Sequence, residues 1–254
     1  MNYKIAIASH QRIDMIRNKT LFYLNKHKIN PTSVYIFVSP ESYESYKEHF
    51  EPLKYNIINS KNNILDTRNH IIQYFDEGEP IIEIDDDLED IHITKKGVEN
   101  ERLGDLNNFI INSFEKLGEK GLWGINSNVN NFFAMGEDKF GLYSIVNSFL
   151  GYYNDKDIIL GVPEKEDFDR VCQFFIKKSP ILKRCGYGVK TRYWKNQGGI
   201  QARYNFEHRI IIQKESADIL MEKYPELVYP VIRKNGIVDI RFRRGKKIYD
   251  YING

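Results

Sequence analysis

Pro80-Ile81-Ile82-Glu83-Ile84-Asp85-Asp86-Asp87 decides how this chain reads. An apolar run of strand length, rich in β-branched residues, stops at three consecutive aspartates. A buried strand that ends this way gathers like charges at one spot on a sheet edge, and their repulsion has to be offset. Two readings fit the triplet alone. One is a solvated acidic loop or helix N-terminus, where aspartate is favoured by unpaired N–H groups and the helix dipole. The other is a site for a hard divalent cation that takes oxygen ligands and bridges to a phosphate-bearing substrate. The strand in front favours the second. Side chains alternate along extended backbone, so Asp85 and Asp87 point the same way and form an Asp-x-Asp clamp, which leaves Asp86 to meet a sugar or ribose.

Outward from this stretch, strands and helices alternate. Lys4 to Ala8, Ser33 to Ser39 and Tyr55 to Asn59 read as strands. Asp14 to His27, Pro40 to Phe50 and Ile64 to Phe75 read as helices, the last stopped by Gly78. This alternation predicts βαβ units in an α/β fold with a mostly parallel, Rossmann-like central sheet. Ligands bind such sheets at the carboxyl ends of the strands. Ser9-His10-Gln11-Arg12 and Asp85-Asp86-Asp87 both follow strands, so they are expected to converge.

The second half is less regular. Leu106 to Leu117 and Glu166 to Lys177 read as helices, Leu122 to Ile125 as a strand, and Tyr143 to Tyr153 as strands or a bend around Gly151. Gly186 to Tyr193 and Phe206 to Ile212 read as strands and Ser216 to Lys223 as a helix. Ile237 to Phe242 and Lys247 to Tyr251 read as a terminal hairpin. No repeat, low-complexity tract or Pro/Gly/Ser-rich linker divides the chain, which reads as one domain over 1–254.

With 254 residues, 41% hydrophobic and 28% charged, the composition is that of a globular protein with a substantial core. No run approaches the roughly 20 apolar residues that span a bilayer, and the N-terminal apolar stretch is too short for a signal peptide. A membrane partner is therefore not expected. Cys172 and Cys185 lack metal-type spacing and read as reduced thiols, which points to the cytoplasm. The net charge of +2 is unevenly spread. Lys183, Arg184, Lys190, Arg192, Lys195, Arg203 and Arg209 interleave with Tyr187, Tyr193, Trp194 and Tyr204. Such a mixture either binds phosphates and stacks on bases or is a solvated cationic face with its aromatics in the core.

Other residues invite a chemical role beside a plain structural one. Arg68, with Asn69, lies at the head of a helix, where it can hold a phosphate or a nucleobase carbonyl or simply be exposed. Glu166 and Asp167 open a helix, where the dipole favours acids, and either can act as general base toward a hydroxyl. His208 can complete a metal shell from the C-terminal segment, and Ser9, His10 and Arg12 can line a nucleotide pocket. Gly198-Gly199 permits close backbone approach to a ligand or makes a hairpin turn.

The order of these motifs resembles a GT-A type glycosyltransferase. Leu122-Trp123-Gly124-Ile125-Asn126, Asn131-Phe132-Phe133, Glu166-Asp167-Phe168, Lys190-Thr191-Arg192-Tyr193, Gly198-Gly199-Ile200-Gln201 and Tyr224-Pro225-Glu226-Leu227-Val228 sharpen the likeness. Together they resemble the TET-associated glycosyltransferase family of phages and large viruses, itself related to the glycosyltransferase-like domain of the GREB-type nuclear proteins. The resemblance implies a GT-A fold with a smaller mixed sheet on the acceptor side. Residues 1–90 would form the donor and metal half and 91–254 the acceptor half. It also implies Mn²⁺ or Mg²⁺, a nucleotide-sugar donor of the UDP type, and an acceptor such as a hydroxymethylated pyrimidine in DNA. A surface or capsid glycan is the alternative acceptor, and a non-catalytic nucleotide-sugar or DNA-binding module the alternative role. By that likeness Asp85 and Asp87 are the metal pair, Asp167 or Glu166 the base of an inverting transfer, and Ser9, His10, Arg12 and Arg68 donor contacts. Lys190, Arg192, Gly198 and Gly199 then shape the donor or acceptor side.

Overall fold

The computed structural model describes residues 1–130, 136–191, 206–233 and 236–243, with residues 206 and 207 described by backbone alone. Strands β1 (Lys4–Ser9), β2 (Val34–Val38), β3 (Asn56–Asn59) and β4 (Pro80–Asp85) pair in parallel in the order β3-β2-β1-β4. Between them run a helical segment over 13–26 (α1), α2 (Tyr43–Phe50) and α3 (Ile64–Tyr74). The α1 run carries a π-helical turn at Arg17–Leu21. The central sheet continues as mixed strands through β9 (Phe149–Tyr153), β7 (Leu122–Asn126), β10 (Ile181–Lys190), β5 (Asp90–Ile93) and β6 (Glu101–Arg102), with β8 (Lys139–Phe140) beside β10. Helices α4 (Leu106–Leu117), α5 (Glu166–Ile176) and α6 (Phe206–Lys223) complete the layers. A second sheet is the antiparallel pair β11 (Val228–Ile232) and β12 (Val238–Phe242).

Alternation sorts the core into two layers. Ile5, Ile7, Ile82 and Ile84 face a cluster that includes Leu24 of α1, Phe50 of α2 and Phe114 of α4. Ala6 and Ile81 face the opposite cluster, with Ile71 and Ile72 of α3, Phe174 of α5 and Leu220 of α6. Each such side chain, fully buried, contributes about 1.5–3 kcal/mol against exposure. Glu83 has the parity of Ile81, so a carboxylate is buried under α3 and α5. Asp85 has the same parity again.

Three expectations change in the second half. Phe206 to Ile212 is not a strand but the start of α6. Gln213, Ser216, Ala217, Leu220 and Tyr224 are buried at helical spacing, and that face overrides the β-branched run Ile210-Ile211-Ile212. Strand β10 begins at Ile181, five residues before Gly186. Val238–Phe242 pairs with Val228–Ile232; Lys247 to Tyr251 lies outside the described residues. Cys172 and Cys185 are buried free thiols. Among the described residues, no helix is long and apolar enough to cross a membrane.

Candidate active site

The chain runs β1, β2, β3 outward and then returns to lay β4 on the other side of β1, so the strand order reverses between β1 and β4. A crevice opens at such a reversal, outside the carboxyl ends of the strands. Here it is a cleft of 2120 Å³ whose lining includes Ser9, Arg12, Asp85 and Asp87 at the sheet, and Glu166 and Asp167 at the head of α5. Its lining also includes Arg233, Arg241 and Arg243 of the second sheet and the segments beside it.

Ala8 pairs with Asp85 in register, which brings the two strand ends together. Asp86 and Asp87 form a turn after β4. Asp85 and Asp87 stay partly exposed while Asp86 is buried. Ser9 Oγ donates to Asp86 Oδ2 at 2.7 Å, and Arg12 Nη1 donates to Asp86 Oδ1 at 2.9 Å. Tyr46 Oη lies 2.8 Å from Ser9 Oγ and accepts from the Arg12 N–H at 2.9 Å. Burial lifts Asp86 to about 6, with Arg12 and Ser9 pulling the other way. Ser9, Arg12 and Asp86 are thus brought together, but first of all onto one another. His10 also lines the cleft, its Nδ1 2.9 Å from Ser39 Oγ.

Asn63 caps α3 by accepting from the Asp66 N–H at 2.9 Å, and this fixes the turn that carries Arg68. Arg68 is only 3% exposed. Its Nη1 donates to Glu83 Oε2 at 2.7 Å and its Nη2 to Asp85 Oδ1 at 2.8 Å. Its Nε lies 3.9 Å from Glu166 Oε1. The side chain expected to meet the donor therefore joins three carboxylates. Glu83 is fully buried, and its second oxygen accepts from Arg170 Nη1 at 2.5 Å and Tyr152 Oη at 2.7 Å. Burial alone would raise Glu83; Arg170 and Arg68 outweigh it and hold the carboxyl down to about 2.

Glu166 accepts from Asn147 Nδ2 at 2.9 Å. Burial raises Glu166 against the pull of Arg68. Asp167 is pushed up to about 7 by burial and by the Glu166 carboxylate beside it. The residue before this pair, Lys165, holds a left-handed backbone with φ 62°, an unusual conformation for a side chain that carries a Cβ. A carboxyl poised near neutral pH at a cleft wall suits proton acceptance from a hydroxyl.

The end of β4 offers carboxylate oxygens to the cleft. Asp85 is 40% exposed at its side chain, and its Oδ2 has no hydrogen-bond donor among the described residues. Asp85 and Asp87 both line the cleft, but Asp87 stands in the turn after β4, so the alternation of extended backbone that was expected to aim the two alike ends at Asp85. Among the described residues, no group of three or more His, Cys, Asp or Glu side chains is placed to hold a metal. His208, expected as a third ligand, is exposed at the start of α6, whose cleft-facing residues are Arg209 and Ile212. Lys190 is exposed at the end of β10 and does not line the cleft, although its carbonyl accepts from the Glu89 N–H at 3.0 Å. Arg192, Gly198 and Gly199 lie outside the described residues.

Two members of the basic stretch, Lys183 and Arg184, fit neither reading of its composition, while 192–205 lie outside the described residues. Lys183 is buried, with Nζ donating to the carbonyls of Ile125 at 2.5 Å and Ser144 at 2.8 Å, and burial lowers it to about 8. Arg184 is 3% exposed, pairs with Asp138 at 3.0 Å and lies over the rings of Phe109 and Tyr187. Neither belongs to a phosphate-binding surface. Sequence reading missed Glu83, Arg170, Tyr152, Asn147 and Tyr46. One signal was present: Glu83 stands inside Ile81-Ile82-Glu83-Ile84, and a charge within a buried strand demands partners.

No family model and no curated protein matches the sequence. Among solved structures, the chain is similar to the mannosyltransferase PcManGT from Pyrobaculum calidifontis in complex with GDP-Man and Mn²⁺, at 10% identity and a TM-score of 0.55. That alignment covers 88% of this chain and 64% of the other. More distant likenesses are to GalNAc-T7 with UDP, GalNAc and Mn²⁺ (10% identity, TM-score 0.45, covering 89% and 51%) and to the apo glycosyltransferase GlyE of Streptococcus pneumoniae TIGR4 (12%, 0.36, covering 99% and 60%). The chain thus spans less than two thirds of the length of each. The first likeness is one of fold: the α/β architecture is that of GT-A glycosyltransferases.

Proposed function

We propose that the chain is a metal-dependent glycosyltransferase that moves a sugar from a nucleotide-sugar donor to a hydroxyl acceptor. One observation carries the reading. A single guanidinium, Arg68, holds Asp85 of the aspartate pair and stands beside Glu166 of the base pair, within one cleft at the strand-order reversal. Asp85 and Asp87 are the residues that would hold Mn²⁺ or Mg²⁺. A cation bound there offsets the charge that develops on the departing nucleoside diphosphate. Ser9, His10 and Arg12 line the nucleotide end of the cleft, and Ser9 and Arg12 fix Asp86 within it. Asp167, with Glu166 as its neighbour, takes the proton of the acceptor hydroxyl. The hydroxyl oxygen bonds to the anomeric carbon as the bond from that carbon to the diphosphate oxygen breaks. A single displacement of this kind inverts the anomeric centre.

Within that class we read the donor as a UDP-sugar and the acceptor as a hydroxymethylated pyrimidine in DNA, as the resemblance to the TET-associated family implies. Arg241 and Arg243 on the cleft wall support an anionic acceptor, while Arg233 is paired with Asp239. The test is incubation of the protein and Mn²⁺ with a panel of nucleotide sugars, in the presence of hydroxymethylated DNA or of a free glycan. Release of nucleoside diphosphate together with a mass gain of one sugar on an acceptor supports the transferase reading and identifies the acceptor. No turnover of any nucleotide sugar with Mn²⁺ or Mg²⁺ overturns it.

A further inference from the structure

Glu83 is unusual for the middle of a central strand: it is charged, 0% exposed and flanked by isoleucines. Its partners explain why it is tolerated and what it does. A guanidinium fork binds a carboxylate best with two arms on one partner. The fork of Arg68 is instead divided, one arm on Glu83 at 2.7 Å and one on Asp85 at 2.8 Å. Glu83 cannot follow Arg68 toward the cleft, because Arg170 and Tyr152 hold its other oxygen. It also separates two buried arginines that would otherwise repel each other.

We propose that Glu83 is a positioning residue: by retaining one arm of Arg68, it keeps that arginine from closing on both oxygens of Asp85 and so leaves Asp85 Oδ2 for a divalent cation. This rests on the metal reading above. Parity places Glu83 and Asp85 on the same face of β4, so one arginine from α3 reaches both. Without the charge of Glu83, the anionic neighbours left to Arg68 are Asp85 and Glu166. A two-armed pair with Asp85 then competes directly with the cation.

The experiment measures Mn²⁺ binding in the presence of UDP, by the electron paramagnetic resonance signal of free Mn²⁺, for wild type, Glu83→Gln and the Glu83→Gln/Arg68→Met pair. Glu83→Gln is expected to weaken Mn²⁺ binding about tenfold or more. Removal of Arg68 in the same background is expected to restore it, a rescue that general loosening of the fold does not produce. If Glu83→Gln does not fold, Glu83→Gln/Arg170→Met removes two opposed buried charges together and carries the same test. Undiminished Mn²⁺ affinity in Glu83→Gln, or a double variant as weak as the single, overturns the positioning role and leaves the metal reading standing. Absence of saturable Mn²⁺ binding by wild type overturns both.

Discussion

Arg68 Nη2 lies 2.8 Å from Asp85 Oδ1, and through this contact the head of α3 is tied to the carboxyl end of β4. The same guanidinium stands 3.9 Å from Glu166 at the head of α5. Two cleft-lining carboxylates from different elements therefore share one guanidinium. An arginine so placed sets spacing and charge together, and a lysine cannot copy it, since a point charge on a flexible stem lacks the fork. Arg68→Lys is expected to lower kcat by about ten- to a hundredfold with a smaller change in donor KM. Steady-state kinetics with the donor found active would check this, and a change confined to KM would instead make Arg68 a donor contact.

Asp87→Ala removes one half of the aspartate pair at a partly exposed position in the turn after β4. Donor hydrolysis and transfer in Mn²⁺ are expected to fall at least about a hundredfold, and added Mn²⁺ to restore them only in part. Full activity in Asp87→Ala would remove the metal proposal.

Asp167 sets a pH dependence. Its folded pKa of about 7 is raised from the ordinary carboxylate value, first by burial and then by Glu166. As a base it works only when ionised. Transfer is therefore expected to rise with pH through about 7 and level off above it, with a slope of about one log unit per pH unit on the acid side. For stability the sign is opposite: a raised carboxyl favours the folded state below its unfolded pKa, and that contribution is lost as pH rises through about 7. Asp167→Asn should thus abolish the acid limb of the rate profile while gaining thermal stability above neutral pH. Glu166 is the alternative base, and Glu166→Gln retaining the limb would assign it to Asp167.

The N-terminal half was legible because pattern and packing agree there. Lys4–Ser9, Val34–Val38 and Pro80–Asp85 are short apolar strands with turn residues at their ends, and nothing competes with that signal. The meeting of Ser9, Arg12 and Asp86 followed from strand ends lying on one edge. What stayed hidden is polar groups in the interior. Lys183 and Arg184 disguised the first half of β10 as a surface segment, although each is buried against its own partners. Gln213 and Ser216 broke the apolar stripe that would have announced α6. The role of Arg68 was equally out of reach, since it depends on Glu83 from another element.

Arg12 and Asp86 provide a stability test where β1 and β4 end. Asp86 is 5% exposed, and Arg12 is its charged hydrogen-bond partner at 2.9 Å. Removing one member of such a pair leaves a buried charge without compensation, at a cost of about 3–5 kcal/mol. Arg12→Met is expected to destabilise by that order at neutral pH, where Asp86 is largely ionised, and less at pH 5, where protonation of Asp86 (about 6) relieves the penalty. Arg12→Met/Asp86→Asn should recover most of the loss. Urea unfolding across the double-mutant cycle at both pH values measures the coupling, and equal losses at pH 5 and pH 7.5 would contradict it.

Gly151, read from sequence within strands or a bend, serves a crowded strand. It lies in β9, paired with Ile82 of β4 on one side and Trp123 of β7 on the other. A Cβ built on it would fall 2.4 Å from Trp123 Nε1 and 2.5 Å from Cε2. Trp123 is 0% exposed and packs against the rings of Phe109, Phe114 and Phe149, so the indole cannot retreat without disturbing all three. Gly151→Ala is therefore expected to destabilise by about 1–3 kcal/mol through overpacking. The same displacement presses on Phe149, whose strand partner Ile84 stands one residue before Asp85. Weaker Mn²⁺ binding should accompany the loss of stability. Calorimetry of Gly151→Ala, with Trp123→Phe/Gly151→Ala as the relieving pair, tests the cause: if the smaller ring recovers none of the stability, the clash with the indole is not its source.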